Sequence, residues 1–173
     1  MAMKLSQPGW PRMLPRGLVV GLATLGPLGM RLPAPGTWGS AAGVLYFLAC
    51  FGHARWEIVF AWSVLAGYVA VAFCGEAELR LGRRDPGQVI LDEFVVMPLV
   101  FMGWRAGALV AWPHWAVLVA GFALFRLYDI LKPFGIRRLQ AWPGGWGVVV
   151  DDVAAALAAW ATLHVVAALW GWH

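Results

Sequence analysis

The sequence predicts an all-α fold, a polytopic membrane helix bundle with about four to five spans, and three observations carry that prediction. Apolar residues make up 61% of the 173 and charged residues only 13%, where a soluble domain usually carries about 25% charged residues. So few charges cannot cover a water-facing surface. The apolar residues gather in long runs separated by short polar breaks, and nowhere do they alternate with the period of two that marks a half-buried strand.

Taken in chain order, residues 1–16 hold Pro8, Pro11 and Pro15 among Lys4, Arg12 and Arg16. They read as an N-terminal cytoplasmic tail of one domain covering 1–173, without the pattern of a cleavable leader. Residues 17–30 are interrupted by Gly and Pro and read as irregular chain embedded in the membrane. Residues 39–52 form a short apolar run, a crossing or a re-entrant helix. Residues 56–74 are almost wholly apolar and, at about 1.5 Å per residue, match the hydrocarbon thickness. The helix predicted over 89–104 is shorter and carries Asp92 and Glu93 near its start. That over 114–131 follows Pro113, a residue suited to a first helical turn. The last, over 148–172, is Ala-rich with Asp151 and Asp152 in its first turn. Cys50 and Cys74 lie in or at the ends of apolar runs, so no disulfide framework is expected.

The positive charges orient these segments. Lys4, Arg12, Arg16 and Arg31 precede the first candidate crossing, Arg80, Arg83 and Arg84 follow the second, and Lys132, Arg137 and Arg138 follow the fourth. Only Arg55 and Arg105 fall in the alternate loops. The positive-inside rule makes the crowded side cytoplasmic, with the N-terminus inside and the C-terminus outside. This alternation requires residues 39–52 to cross. The net charge of +4 is read as a topology signal and as contact with anionic lipid rather than with nucleic acid.

That topology brings Asp85, Asp92, Glu93, Asp129, Asp151 and Asp152, six of the nine acidic residues, to one membrane face. A carboxylate near hydrocarbon costs up to about 2.5–3.5 kcal/mol, so the cluster needs a reason. Capping and the helix dipole account for Asp92 or Asp151 taken singly. They do not account for adjacent acids that repel one another, nor for Asp129 at a helix C-terminus, where Arg126 and Lys132 share its face. A cation site explains all three groups. Oxygen ligands alone suit Mg²⁺, Ca²⁺ or Mn²⁺. His53, His114, His164 and His173 fall toward the other face or the C-terminus, which argues against Zn²⁺. A hard cation beside Arg126, Lys132, Arg137 and Arg138 suits phosphate chemistry.

Two further patterns bear on phosphate. Residues 35–40 and 143–147 are Gly-rich and run into helix starts, where free backbone N–H groups can hold anionic oxygens; Gly-rich turns also join helices with no such role. Cys74 to Arg80 spells C-x5-R, the spacing of cysteine-dependent phosphatases. Glu76 and Glu78 inside that stretch would repel phosphate, and both read as solvated loop residues, so the cysteine mechanism is set aside.

PAPGTWGS at 33–40, DPGQVILDEF at 85–94, FRLYDILKP at 125–133 and GGWGVVVDD at 144–152 together resemble the phosphatidylglycerophosphatase A family in order and spacing. The resemblance covers roughly residues 20 to 160. It implies an all-helical multi-pass protein of the bacterial inner membrane, with its active site facing the cytoplasm. It also implies Mg²⁺-dependent hydrolysis of phosphatidylglycerophosphate to phosphatidylglycerol and phosphate. Carried over by position, Asp92, Glu93, Asp129, Asp151 and Asp152 are the expected catalytic and metal-holding carboxylates, with Asp85 as a further ligand. Thr37, Arg126, Lys132, Gly144 and Gly145 are expected at the phosphate. The chain departs from the pattern at Val96 and Ala156, where Gly is common, and at Pro143, where a His can stand. None of these removes a carboxylate.

Three other readings compete. A phosphatase of another lipid phosphate would use the same residues. A small cation transporter would place acids on both sides of the midplane, which this sequence does not, and a purely structural membrane protein leaves the clustered carboxylates without a purpose.

Overall fold

The structure, a computed structural model, describes residues 6–170, and among them every regular element is helical. After a 3-10 turn at Trp10–Met13, residues 17–30, expected to be irregular, fold as two short helices, α1 (Arg16–Ala23) and α2 (Pro27–Arg31). The break between them is real: Leu25 and Gly26 both take positive φ, 49° and 62°, which ends a right-handed helix.

Helix α3 (Pro35–Phe51) begins four residues before the expected start, because Pro35 sits in its first turn with φ already suited to a helix. Helix α4 (Trp56–Leu81) runs two turns beyond the expected end at residue 74 and stops at Gly82 in a left-handed C-cap. Glu76 and Glu78 are therefore helical. Glu76 is not solvated: it is 6% exposed, and Arg80, one turn on, pairs with it at 2.8 Å. That i,i+4 pair lets the helix continue through a charged stretch that reads as a loop. It also removes the C-x5-R possibility on geometry, since Cys74 is buried within a continuous helix and overlies no phosphate-binding loop.

Helix α5 (Leu91–Val100) carries Pro98 and is ten residues long, about 15 Å, half the hydrocarbon thickness. The chain returns through turns and a 3-10 segment at Gly107–Ala111. Helix α6 (His114–Leu131) matches its expected bounds, and α7 (Gly145–Trp170) begins three residues early. Helices α4, α6 and α7 are long and apolar enough to cross a membrane; α3, 17 residues, is about 25 Å long and covers most of the core. Four to five spans is thus approximate.

The short α5 lies at the centre, packed against α3, α4 and α7, while α6 packs along α7. Phe47, Met97, Phe101 and Phe125 are fully buried between them. The outward faces stay apolar, with Trp62, Leu65, Val119, Val165 and Leu169 exposed, as a lipid-facing surface requires. Close approach of α3 to α5 depends on a stripe of small residues. A Cβ at Gly36 would strike the Glu93 carboxylate, one at Gly39 the Ile90 side chain, and one at Gly43 the Met97 side chain. The two helices run parallel, and their N-termini lie at the end of the bundle where α6 finishes and α7 starts.

Candidate active site

Four helix ends meet there, and their side chains form one connected polar chain. Ser40 Oγ on α3 donates to Glu93 Oε2 on α5 at 3.1 Å. Arg126 on α6 reaches the same Glu93 oxygen at 3.0 Å and Asp129 at 2.8 Å. Lys132, just past α6, lies 3.6 Å from Asp129 and bonds directly to Asp151 on α7. Lys132 closes α6 in a left-handed conformation, φ 46°, which costs a non-glycine residue about 1–2 kcal/mol and turns its side chain toward α7. Burial works against its charge, but the hydrogen bond and charge of Asp151, with Asp152 and Asp129 beyond, outweigh it and hold the ammonium above the ordinary lysine range.

Two acids stand outside this pairing. Asp92 and Asp152 are 5% and 3% exposed, and the salt bridges of the described residues give neither a cation. Asp92 Oδ1, Asp152 Oδ2 and also Asp151 Oδ1 are buried with no hydrogen-bond partner. Asp92 feels the charges of Asp85 and Asp151, and Asp152 those of Asp92, Asp129 and Asp151. Leaving buried carboxylate oxygens unpaired is costly, and a bound cation is the usual compensation.

A family model, "PgpA: Phosphatidylglycerophosphatase A", matches residues 21–167. The chain belongs to the phosphatidylglycerophosphatase A family. A Haemophilus influenzae phosphatidylglycerophosphatase A is 35% identical over 130 residues, 75% of this chain and 76% of that protein. A Bacteroides thetaiotaomicron protein provisionally named a phosphatidylinositol-3-phosphatase is 35% identical over 127 residues, 70% and 76% of the two chains. The Escherichia coli phosphatidylglycerophosphatase A is 28% identical over 144 residues, 82% and 79%. No solved structure matches. Membership makes the chain a phosphatase, an enzyme associated with the membrane through its apolar helices.

The donor set of this phosphatidylglycerophosphatase A family member suits a hard divalent cation: its unpaired buried atoms, Asp92 Oδ1, Asp151 Oδ1 and Asp152 Oδ2, are all carboxylate oxygens. The site is not drawn together into a ready coordination shell, since among the described residues no three His, Cys, Asp or Glu side chains converge on one point. Arg126 and Lys132 instead occupy Glu93, Asp129 and one oxygen of Asp151.

The other expected residues fall as follows. Asp85 is exposed on the α4–α5 turn, where Gln140 donates to it at 3.3 Å. Thr37 is exposed on the first turn of α3 and makes no side-chain hydrogen bond with the described residues, whereas Ser40, three residues on, joins the network. The start of α3 at Pro35 decides this, because Ser40 then shares the face of Gly36 and Gly43 and Thr37 does not. Gly145 has no free N–H for an anion: its amide donates to Gln7 Oε1 at 2.9 Å, and its missing side chain admits α4, where a Cβ would strike the Val71 carbonyl. Gly144 turns the chain into α7 with φ 55°. Gln7 itself, with no signal in the sequence, ties the two helices by also donating to Val71 O at 3.0 Å. His53, His114 and His164 lie away from the acids, beside Arg105, Trp104 and Trp160 respectively, and His173 is outside the described residues.

Proposed function

We propose that this enzyme removes the terminal phosphate of phosphatidylglycerophosphate, leaving phosphatidylglycerol, at the cytoplasmic face of the bacterial inner membrane, and that it requires Mg²⁺. One observation carries the reading: three buried aspartates on α5 and α7 keep unpaired oxygens beside two cationic side chains anchored by neighbouring acids. Asp92, Asp152 and the free oxygen of Asp151 would hold the ion, while Glu93 and Asp129 hold Arg126 beside it. A divalent cation supplies Lewis-acid charge against the phosphate and water.

The chain's own residues do the rest. Arg126 and Lys132 are charged and fixed in place by Glu93, Asp129 and Asp151, so their remaining donors can face phosphate oxygens with little loss of side-chain freedom. Ser40 orients Glu93, and through it Arg126. Water adds to phosphorus, the bond from phosphorus to the glycerol oxygen breaks, and that oxygen takes a proton to become the lipid hydroxyl. The acyl chains remain in the bilayer beside the apolar outer faces.

A phosphatase for another phosphorylated lipid headgroup is the second reading, favoured by the differently named Bacteroides thetaiotaomicron relative. Phosphate release from the detergent-solubilised full chain decides between them. Phosphatidylglycerophosphate with Mg²⁺ should be the better substrate than phosphatidylinositol 3-phosphate, and EDTA should abolish turnover. Full activity in EDTA would sink the metal role; a preference for the inositol lipid would sink the substrate.

A further inference from the structure

Between the turn carrying Arg84 and Asp85 and the chain from Gln140 to Val148 lies a cleft of about 400 Å³. A second, of about 470 Å³, adjoins it through Arg84, Ala141 and Gly144. Helix α7 fixes the cleft relative to the site: Val148 lines it, and Asp151 and Asp152 follow three and four residues later on the same face. The cleft therefore opens one helical turn, about 5 Å, from the buried aspartates.

Its lining chemistry differs from that of the site. Arg84 donates through one nitrogen to the carbonyl oxygens of Gln140 and Trp142, which pins the two loops together and leaves the other guanidinium donors available. Gln140 and Asp85, joined at 3.3 Å, add an amide and a carboxylate. Asp85 is held in a left-handed conformation, φ 45°, by its own N–H on Glu78 and by Gln140. A phosphomonoester dianion does not belong against the Asp85 carboxylate, and an acyl chain does not belong against three polar side chains. A hydroxyl flanked by a singly charged phosphodiester fits both features: acceptor and amide for the hydroxyl, arginine for the diester.

Resting on the phosphatidylglycerophosphate reading above, we propose that this cleft is the headgroup subsite. It takes the glycerol hydroxyl on Gln140 and Asp85 and the inner phosphodiester on Arg84, while the terminal phosphate lies one turn deeper at Lys132 and Arg126. Gln140 is then a specificity-determining residue that never touches the phosphate being removed.

The test compares KM for phosphatidylglycerophosphate with the inhibition constant of inorganic phosphate, in wild type and in Gln140→Leu, using the full chain in mixed micelles. A lost hydrogen bond of ordinary strength should raise KM about tenfold, while inhibition by inorganic phosphate stays within about twofold of wild type. Gln140→Asn, which keeps the amide on a shorter stem, should fall between and serves as the test variant if the leucine protein does not fold. Parallel changes in both constants, or no change in KM, would overturn the subsite alone. A wild type that releases no phosphate from this lipid overturns the functional reading and the subsite together.

Discussion

Glu76 and Asp152 are buried at the same end of the bundle to nearly the same degree, 6% and 3% exposed, yet the protein treats them in opposite ways. Glu76 has Arg80 at 2.8 Å and Arg12 at 3.6 Å, and Arg80 spends its other donors on the carbonyls of Pro11 and Leu14. The acid, the two arginines and the N-terminal segment form a structural clasp, in which Glu76 Oε2 makes no hydrogen bond but has the Arg12 charge beside it. Among the described residues no cation pairs with Asp152, and none pairs with Asp92. The two regions share a desolvation cost but only one supplies its own countercharge. Where a fold can neutralise a buried acid and does so at Glu76, two acids left bare on α5 and α7 point to a countercharge that arrives from outside the chain.

The sharpest way to break that contrast is to neutralise one acid of each kind. Asp152→Asn removes a charge that no cation among the described residues pairs with directly, so the protein should fold as well as wild type or better while turnover drops by at least about 10²–10³-fold. Thermal melts in a Mg²⁺ series add an independent readout. Wild type should gain stability as the ion binds the native state, by about 2.7 kcal/mol at a hundredfold excess over Kd, and Asp152→Asn should show little of that gain. Glu76→Gln should do the reverse. It leaves Arg80 without its partner in a buried setting, for a loss of about 3 kcal/mol, with turnover per folded molecule within a few-fold of wild type. If Glu76→Gln abolished turnover in folded protein, or Asp152→Asn left it intact, the division between clasp and site would be wrong.

A middle-sized effect is expected at Gly36. Its missing Cβ is what lets the Glu93 carboxylate lie against α3, so Gly36→Ala must move that carboxylate out of its place. Overpacking of this kind costs about 1–3 kcal/mol and should displace Glu93 from Arg126, lowering turnover more than stability. Gly67→Ala is the matched control, because a Cβ there meets nothing within 4 Å; it should leave both melt and turnover near wild type.

How much of this the sequence revealed depends on the kind of signal. Asp92, Asp129 and Asp151 stand out because charge is scarce in apolar runs, and a topology drawn from arginines and lysines is enough to bring them to one end. The bounds of α6 follow from Pro113 and the polar stretch after Leu131. What stayed hidden was whatever depends on who sits opposite. Glu76 reads as solvated because Arg80 is recognisable as its partner only once α4 is known to continue. The glycines at 36 and 145 read as anion-binding turns, since a glycine admitting a neighbouring helix and one exposing its amide look alike along a chain. Gln7 acts on residues 64 and 138 positions away, with no local pattern to announce it.

Thr37 and Ser40 give the smallest and most pointed test. Both hydroxyls lie near the start of α3, and motif position favours Thr37. Geometry favours Ser40, which donates to Glu93 and also approaches Gly36 O at 2.8 Å, while Arg126 lies 3.4 Å away. A hydrogen bond to a charged group is worth about 1.5–3 kcal/mol, an uncharged one about 1, and Glu93 keeps Arg126 when the serine is lost. Ser40→Ala should therefore lower kcat/KM by about five- to tenfold, toward the weaker end of that range, and Thr37→Val by less than about twofold if its exposed hydroxyl contacts only water. A larger loss at Thr37 than at Ser40 would mean that the substrate phosphate reaches the exposed first turn of α3, and the polar chain running from Ser40 to Asp151 would then be scaffolding for a site displaced toward the solvent.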